Sequence, residues 1–163
     1  MDKIINKENI TFILSLFGSF GVILGWILTY IKNRKNISLK IIKYGHSPKG
    51  LLTYIEISNQ SRLPISINEI SVSIGKDEYR CSYIPVVALE RTNRAGNKIT
   101  NIEKILSMTF PVNIQPLCGY SGYVYFPSFE ENFPDVSNTA FFVVHTNRGK
   151  KFEKELSLGV PLD

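Results

Sequence analysis

A run of twenty-two residues without a charge, from Ile10 to Ile31, constrains this chain more than any other feature of its sequence. A helix needs roughly 20 apolar residues to cross a hydrocarbon core of about 30 Å, and it satisfies its backbone polar groups internally. The run therefore predicts a membrane-spanning helix over 10–31, preceded by a short tail at 1–9 and followed by a basic linker at 32–36. Residues 37–163 are long enough to form one domain with its own core.

A cleaved signal peptide is the alternative interpretation of this run. Signal peptides have an apolar segment of about 7–15 residues followed by a small-residue cleavage site. Here the run is longer, and it ends with Trp26, Thr29 and Tyr30 directly before basic residues. Because aromatic residues anchor helix ends at membrane interfaces, the flank favours an uncleaved single-pass anchor in the cell membrane.

The basic residues that follow the run predict its orientation. Lys32, Arg34 and Lys35 begin a segment that contains no acidic residue up to Lys49. Lys and Arg accumulate on the cytoplasmic side of membrane spans, so the C-terminal domain is predicted to be cytoplasmic. The alternative is a signal-anchor with the domain outside.

Most of the net charge of +5 lies near the predicted membrane. Residues 1–35 contain five basic and two acidic groups, whereas the rest of the chain is almost balanced. The cluster Lys32, Arg34 and Lys35 is therefore predicted to contact anionic lipid headgroups, or alternatively only to set orientation. The sequence predicts no nucleic-acid partner, because that would need a basic face on the domain itself.

Small residues form a stripe along the predicted helix. Close helix packing in membranes uses such small residues four apart, as in Gly-x-x-x-Gly. The stripe predicts a homo-oligomer or a membrane-protein partner bound through the span, although glycine is common in membrane helices in any case. Its members are Ser15, Gly18, Gly21, Gly25 and Thr29.

From Ile37 onward the apolar residues recur every second position, which is typical of strands. The alternation slips by one position at Asn68–Glu69, so either a β-bulge or a bend that switches sheets is predicted there. Asn147–Lys150 is predicted to be the turn of a hairpin. Seven to nine such strands separated by turns predict a mainly β fold, an antiparallel β-sandwich.

The sequence contains no recognisable catalytic, cofactor or metal-binding motif. His46 and His145 have no ligand-spaced neighbours, and no phosphate-binding glycine loop or nucleophile motif occurs. Cys81 lies in an alternating strand and is predicted to be a core residue, while Cys118 lies in a predicted bend. We therefore predict no enzyme activity, no cofactor, no metal and no small-molecule substrate. The alternative is an enzyme or sensor that combines a histidine with Cys118.

Two basic segments are candidates for a partner surface. The first is a predicted polar loop at 90–104, and the second is the tip of the 147–150 hairpin. The alternatives are a solvated loop and a sheet edge protected by charge. The candidate residues are Arg91, Arg94 and Lys98 in the loop, and Arg148, Lys150 and Lys151 at the hairpin.

Three segments carry a resemblance to a known group of proteins: Tyr54–Ser61, Leu63–Ile67 and His145–Lys151. With the N-terminal run they resemble short bacterial and prophage membrane proteins that have one span and an immunoglobulin-like sandwich. That group includes phage superinfection-exclusion proteins, which sit in the host membrane and block the passage of DNA. The resemblance implies an immunoglobulin-like fold and a binding protein that acts by contact with a membrane-associated partner. A structural subunit of a larger membrane assembly is the alternative.

Overall fold

The computed structural model describes residues 7–96, 98–128, 133–136, 138–149 and 151–162. Helix α1 comprises Lys7–Asn33, and the rest of the described chain is built from strands. The prediction of a mainly β fold after an N-terminal helix is confirmed. The strands are β1 (Ile37–Ser47), β2 (Gly50–Asn59), β3 (Ile65–Ile74), β4 (Asp77–Arg80), β5 (Val87–Ala95), β6 (Lys98–Leu106), β7 (Val112–Ile114), β8 (Gly119–Pro127), β9 (Thr139–Thr146), β10 (Phe152–Ser157) and β11 (Val160–Pro161).

Helix α1 is long enough and apolar enough over Asn9–Asn33 to cross a membrane. A membrane anchor and an N-terminal signal sequence share these two properties. The chain separates into two compact units, one that ends at Arg34 and one that begins at Lys35.

The second unit contains two sheets and a separate two-stranded ribbon. Sheet A has the strand order β11-β1-β2-β8, and sheet B has the order β10-β9-β3-β4, with β7 also paired to β3. All pairs are antiparallel except β1 with β11, which is parallel. The remaining two strands, β5 and β6, pair only with each other.

The inward faces of sheets A and B form one hydrophobic core. Phe126 on β8 and Phe142 on β9 meet edge to face across the two sheets, with ring centroids 6.1 Å apart. Both rings are fully buried, and such aromatic pairs add about 1 kcal/mol beyond their buried area. The other fully buried large side chains are Leu51, Ile55, Ile57, Ile65, Ile67, Ile70, Val72, Val124, Val144 and Leu158.

The predicted bulge in β3 is confirmed. The pairing of β3 with β9 shifts register between Ile67 and Glu69. Ile67 and Ile70 are both fully buried although they are three residues apart. An unbroken strand would turn one of these side chains outward, so the bulge is what allows both to reach the core.

The alternation of Tyr79, Cys81 and Tyr83 predicts a strand over 79–83, and the observed strand is shorter because the chain changes sheets within this segment. Strand β4 ends at Arg80, and the Cys81 amide still donates to the Ile70 carbonyl of sheet B at 2.9 Å. The next amide, that of Ser82, donates to the Tyr125 carbonyl of sheet A at 2.8 Å.

The bend predicted around Cys118 extends over 116–122, and the second half of this prediction is wrong. Strand β8 already begins at Gly119, where it pairs with Ser58 of β2. The sequence also predicts a long loop over 127–138, which lies partly outside the described residues. Within it, Phe133 is buried against the Tyr79 ring, with ring centroids 4.5 Å apart.

Candidate interaction site

The segment predicted to be a polar loop at 90–104 is instead a β-ribbon, formed by β5 and β6. The turn between the two strands contains Gly96 with a φ of +62°, a conformation that glycine adopts without strain. In the part of the chain that the structure describes, no third strand pairs with either edge of this ribbon. The ribbon therefore presents two free edges and two faces outside the sandwich.

One face of the ribbon carries four aliphatic side chains, which we call the aliphatic face. Directly opposed residues of an antiparallel pair share a face, and the observed pairs are Val87 with Leu106, Thr92 with Ile102 and Arg94 with Ile99. Register shifts after Val87 and after Asn93 keep these pairs on the same side. The four aliphatic residues are each about half exposed: Val87, Ile99, Ile102 and Leu106.

The predicted basic residues of this segment are divided between the two faces of the ribbon. Arg94 lies on the aliphatic face opposite Ile99. Arg91 and Lys98 lie on the other face, where the Arg91 guanidinium is 4.0 Å from the Glu103 carboxylate. Both partners of that pair are largely exposed, so it contributes little stability.

The Glu90–Lys104 pair also lies on the aliphatic face, so that face carries two cations and one carboxylate beside its four aliphatic side chains. The opposite face, which we call the polar face, carries Leu89 and Ile105 near the base and polar side chains beyond them.

The base of the ribbon lies across β8, with a groove on each side. The Met108 amide donates to the Tyr123 carbonyl at 2.7 Å, which fixes the end of the ribbon to the edge of sheet A. One groove, of about 630 Å³, is lined by the Tyr54 and Tyr123 rings and by Met108. The other, of about 580 Å³, is lined by Val87, Leu52 and neighbouring residues. Neither groove contains a carboxylate or a cysteine.

The hairpin between β9 and β10 places Arg148 close to Lys35, the first residue of the domain. Burial and then the positive charge of Arg148 lower the pKa of Lys35 below its usual value. Lys151 belongs to a different environment, because its ammonium is 2.7 Å from the Glu153 carboxylate, which raises its pKa. Lys150 lies outside the described residues. Lys32 and Arg34 belong to the unit that contains α1.

The small-residue stripe lies along α1 with its hydroxyl groups bonded inside the helix. Ser15 donates to the Phe12 carbonyl and Thr29 to the Gly25 carbonyl, each at 2.8 Å. A methyl group added at Gly18, Gly21 or Gly25 would meet no atom within 4 Å. The face is therefore open to close approach, and pairing through it stays a prediction.

A polar cluster on the outer side of sheet B was not predicted from the sequence. The Tyr83 hydroxyl donates to Glu69 at 2.6 Å, and the Arg80 guanidinium lies 3.4 Å from the same carboxylate. The hydrogen bond to Glu69 raises the pKa of Tyr83 to about 12. These residues come together only through the β3–β4 pairing and the chain crossing after β4, for which the sequence offers no local signal.

The two histidines do not meet Cys118. His46 lies at the β1–β2 turn, opposite Leu51, whereas the Cys118 carbonyl accepts from the Asn59 amide at the other end of β2. Eight residues of strand separate these two ends by about 26 Å. His145 lies on β9 opposite Glu69, on the outward-facing side of sheet B.

The two cysteines lie in different surroundings. Cys81 is buried, and burial raises its pKa to about 11, whereas Cys118 is exposed. The prediction of Cys81 as a core residue is confirmed. Among the described residues, no three His, Cys, Asp or Glu side chains come together as metal ligands would.

Comparison with known proteins adds no family to this description: neither a family model nor a curated protein sequence matches the chain.

Proposed function

We propose that this chain is a single-pass membrane-anchored binding protein that acts by contact with a membrane-associated partner protein. Helix α1 spans the cell membrane, and the β-sandwich presents a recognition surface close to the bilayer. The length and composition of α1 support the anchor. The basic residues after α1 favour a cytoplasmic domain.

We further propose that the domain is an immunoglobulin-like sandwich. In that fold, strands A, B and E share one sheet, and strands C, F and G share the other. Here β1, β2 and β8 are consecutive neighbours in sheet A, and β3, β9 and β10 are consecutive neighbours in sheet B. This strand order supports the assignment. Such folds serve many functions, so the function has to be argued from a surface.

The observation that carries the proposed function is the aliphatic face of the β5–β6 ribbon. Four exposed aliphatic side chains are collected on one side of an element whose edges pair with no other described strand. Exposed apolar side chains gathered on one face mark interaction sites, and the Glu90–Lys104 pair on the same face adds a polar contact for a partner. A partner protein that offers an extended strand would bind a ribbon edge through its main chain and cover the aliphatic side chains.

Superinfection exclusion is the process that we propose for such a protein, with a component of the DNA-injection machinery as the partner. The size and architecture resemble proteins of that kind, in which contact rather than catalysis blocks the passage of DNA. A structural subunit of a larger membrane assembly would use the same ribbon for a permanent contact. An enzyme or sensor would need a site elsewhere.

The experiment compares the two faces of the ribbon in intact cells. A photo-crosslinking residue is placed at Ile102 on the aliphatic face and at Asn101, the adjacent residue on the polar face. We expect one membrane-fraction partner to be crosslinked from Ile102 and not from Asn101. In the same cells, Ile102→Asp should restore phage DNA injection that the unmodified chain blocks, while Asn101→Asp should not.

Each other outcome contradicts a defined part of the proposal. Equal crosslinking from Ile102 and Asn101, or from neither, would reject the ribbon as the binding surface. A reproducible partner without any effect on phage infection would support the structural-subunit alternative. Release of the domain from the membrane fraction would reject the anchor and favour a cleaved signal sequence.

A further inference from the structure

Four segments meet at the end of the domain where β1 begins, and hydrogen bonds join them. The Gln60 amide donates to the Asn36 carbonyl at 2.9 Å, and the Leu117 amide donates to the Ser61 carbonyl at 3.3 Å. The Arg148 guanidinium donates to the Ser61 hydroxyl at 3.4 Å. This end is therefore a fixed surface built from separate parts of the sequence. The segments are residues 35–36, 60–64, 115–118 and 146–149.

These segments contain basic residues and no aspartate or glutamate. Arg148 also donates to the Leu63 carbonyl at 3.4 Å, so its guanidinium is held in place by two contacts to one loop. Lys35 donates to the Thr146 hydroxyl at 3.3 Å and lies in the field of Arg148. Holding like charges together is unfavourable, and a bound anion relieves that repulsion. Arg62 adds a third, exposed cation.

Two exposed leucines accompany these cations. Leu117 has a φ of +57°, which is uncommon for a leucine, and its side chain is 72% exposed. Leu63 is exposed on the neighbouring loop. Cations interleaved with aliphatic side chains are typical of surfaces that bind lipid interfaces, whereas single-stranded nucleic acids are bound by cations with aromatic rings. We call Lys35, Arg62, Leu63, Leu117 and Arg148 the basic end.

The covalent chain limits how far the basic end can lie from the end of α1. Helix α1 ends at Asn33 and β1 begins at Ile37, so a fully extended linker spans about 14 Å at most. We propose that the basic end binds the headgroups of anionic phospholipids, with Leu117 and Leu63 inserted among them, and so holds the domain against the bilayer. This inference rests on the membrane anchor of the proposed function.

Cys118 provides a natural reporter for this contact. It is exposed and follows Leu117 directly, whereas Cys81 is buried, so a nitroxide thiol reagent labels Cys118 selectively. The full chain is reconstituted in vesicles of phosphatidylcholine alone or with phosphatidylglycerol. Collision of the nitroxide with the uncharged aqueous relaxant Ni-EDDA is then measured. We expect this accessibility to fall several-fold in the anionic vesicles and to recover at 1 M salt, where electrostatic attraction is screened within about 3 Å.

Two variants test the surface and one controls for charge. Each basic side chain near an anionic surface strengthens attraction by about fivefold, so Arg62→Gln with Arg148→Gln should weaken the contact by about 25-fold. Leu117→Asn removes the apolar side chain where asparagine tolerates the positive φ, so it should weaken contact without unfolding. Arg91→Gln with Arg94→Gln removes the same charge from the ribbon and should change nothing.

The outcomes separate this inference from the anchor. A chain that floats with vesicles but shows equal Cys118 accessibility in both lipids retains the anchor and overturns the lipid contact. If Arg91→Gln with Arg94→Gln abolished the fall in Cys118 accessibility as completely as Arg62→Gln with Arg148→Gln does, the lipid contact of the basic end would also be overturned. Net charge alone would then explain the attraction to anionic vesicles. If the chain does not float with vesicles, the proposed membrane anchor is itself rejected.

Discussion

Replacement of Asn59 by alanine is the perturbation that most directly tests how the basic end is held together. The Asn59 side chain is buried. Its Nδ2 group donates to the carbonyls of Leu63, Ile114 and Gln115 at 2.9, 3.2 and 3.1 Å. Its Oδ1 atom accepts from the Ser61 amide and hydroxyl at 3.0 and 2.6 Å. One side chain thus joins three segments of the domain.

The expected magnitude follows from which of these bonds are buried. The bonds to Ile114 and to both Ser61 groups are shielded from water, whereas the other two are partly accessible. A buried hydrogen bond contributes about 1 kcal/mol net, and an unsatisfied buried partner costs about 1–3 kcal/mol. Asn59→Ala is therefore expected to lower the free energy of unfolding by about 3 kcal/mol.

Asn147→Ala is the matched control for this substitution. Asn147 accepts a single exposed hydrogen bond, from the Ser66 amide at 2.9 Å. Its loss is expected to cost about 0.5 kcal/mol, since water replaces the donor.

The rate at which the Cys81 thiol is alkylated measures the free energy of unfolding of the domain in the full chain. This measurement does not depend on a spectroscopic signal that detergent would disturb. Cys81 is buried, with its pKa raised to about 11, so a maleimide reaches its thiolate only when the domain opens. In a Cys118→Ser background, Asn59→Ala should accelerate this reaction about 150-fold and Asn147→Ala about twofold. An acceleration below about tenfold for Asn59→Ala, or similar values for both variants, would refute the assignment of stability to the buried network.

Two further predictions concern the polar cluster and the last turn. Glu69→Gln should return the pKa of Tyr83 from about 12 toward the ordinary phenol value of about 10, measured by tyrosine-ring NMR titration. The pKa of Tyr83 is higher in the folded state than in the unfolded state, so this bond stabilises the fold fully below about pH 10 and loses its effect as the pH rises toward 12. If Glu69→Gln left the titration of Tyr83 unchanged, the contact would be contradicted. Gly159→Ala, at φ +79°, would press its methyl group against the Ile42 carbonyl, whereas Gly149→Ala, at φ +63°, meets no atom. Each substitution costs about 1 kcal/mol because alanine disfavours the left-handed backbone conformation. Gly159→Ala adds the clash with Ile42, so it should lower Tm at least twice as far as Gly149→Ala does.

The sandwich was predictable from the sequence wherever one face of a strand is buried. The bulge of β3 illustrates this, because Ile67 and Ile70 reach the same core only if the strand slips between them. The strand order was not predictable in the same way. The chain crosses from sheet B to sheet A between Cys81 and Ser82, and the parallel pairing of β11 depends on Gly159 passing close to Ile42. These are contacts between distant segments, which local periodicity does not encode.

The ribbon was missed for a physical reason that also explains its composition. Both of its faces are outside the sandwich, so no buried face imposes strict alternation of polar and apolar residues. The register shift after Asn93 then places Ile99 and Ile102 on one face although they are three residues apart. The segment consequently looks polar and aperiodic when it is read as a sequence. The glycine at position 96 was the one local signal of a hairpin turn.

The positions of the two proposed surfaces constrain what the ribbon can bind. The basic end lies at the Asn59 end of β2, whereas Val87 at the ribbon base lines a groove with Gly50, at the opposite end of that strand. Val87 also pairs directly with Leu106, which lines the other groove with Tyr123, the partner of Tyr54 in the middle of β2. The ribbon base therefore lies about halfway along a strand that spans roughly 30 Å. With the basic end on the headgroups, the base of the aliphatic face lies about 15 Å above them, so the surface that covers it is expected to come from a protein that extends out of the headgroup layer.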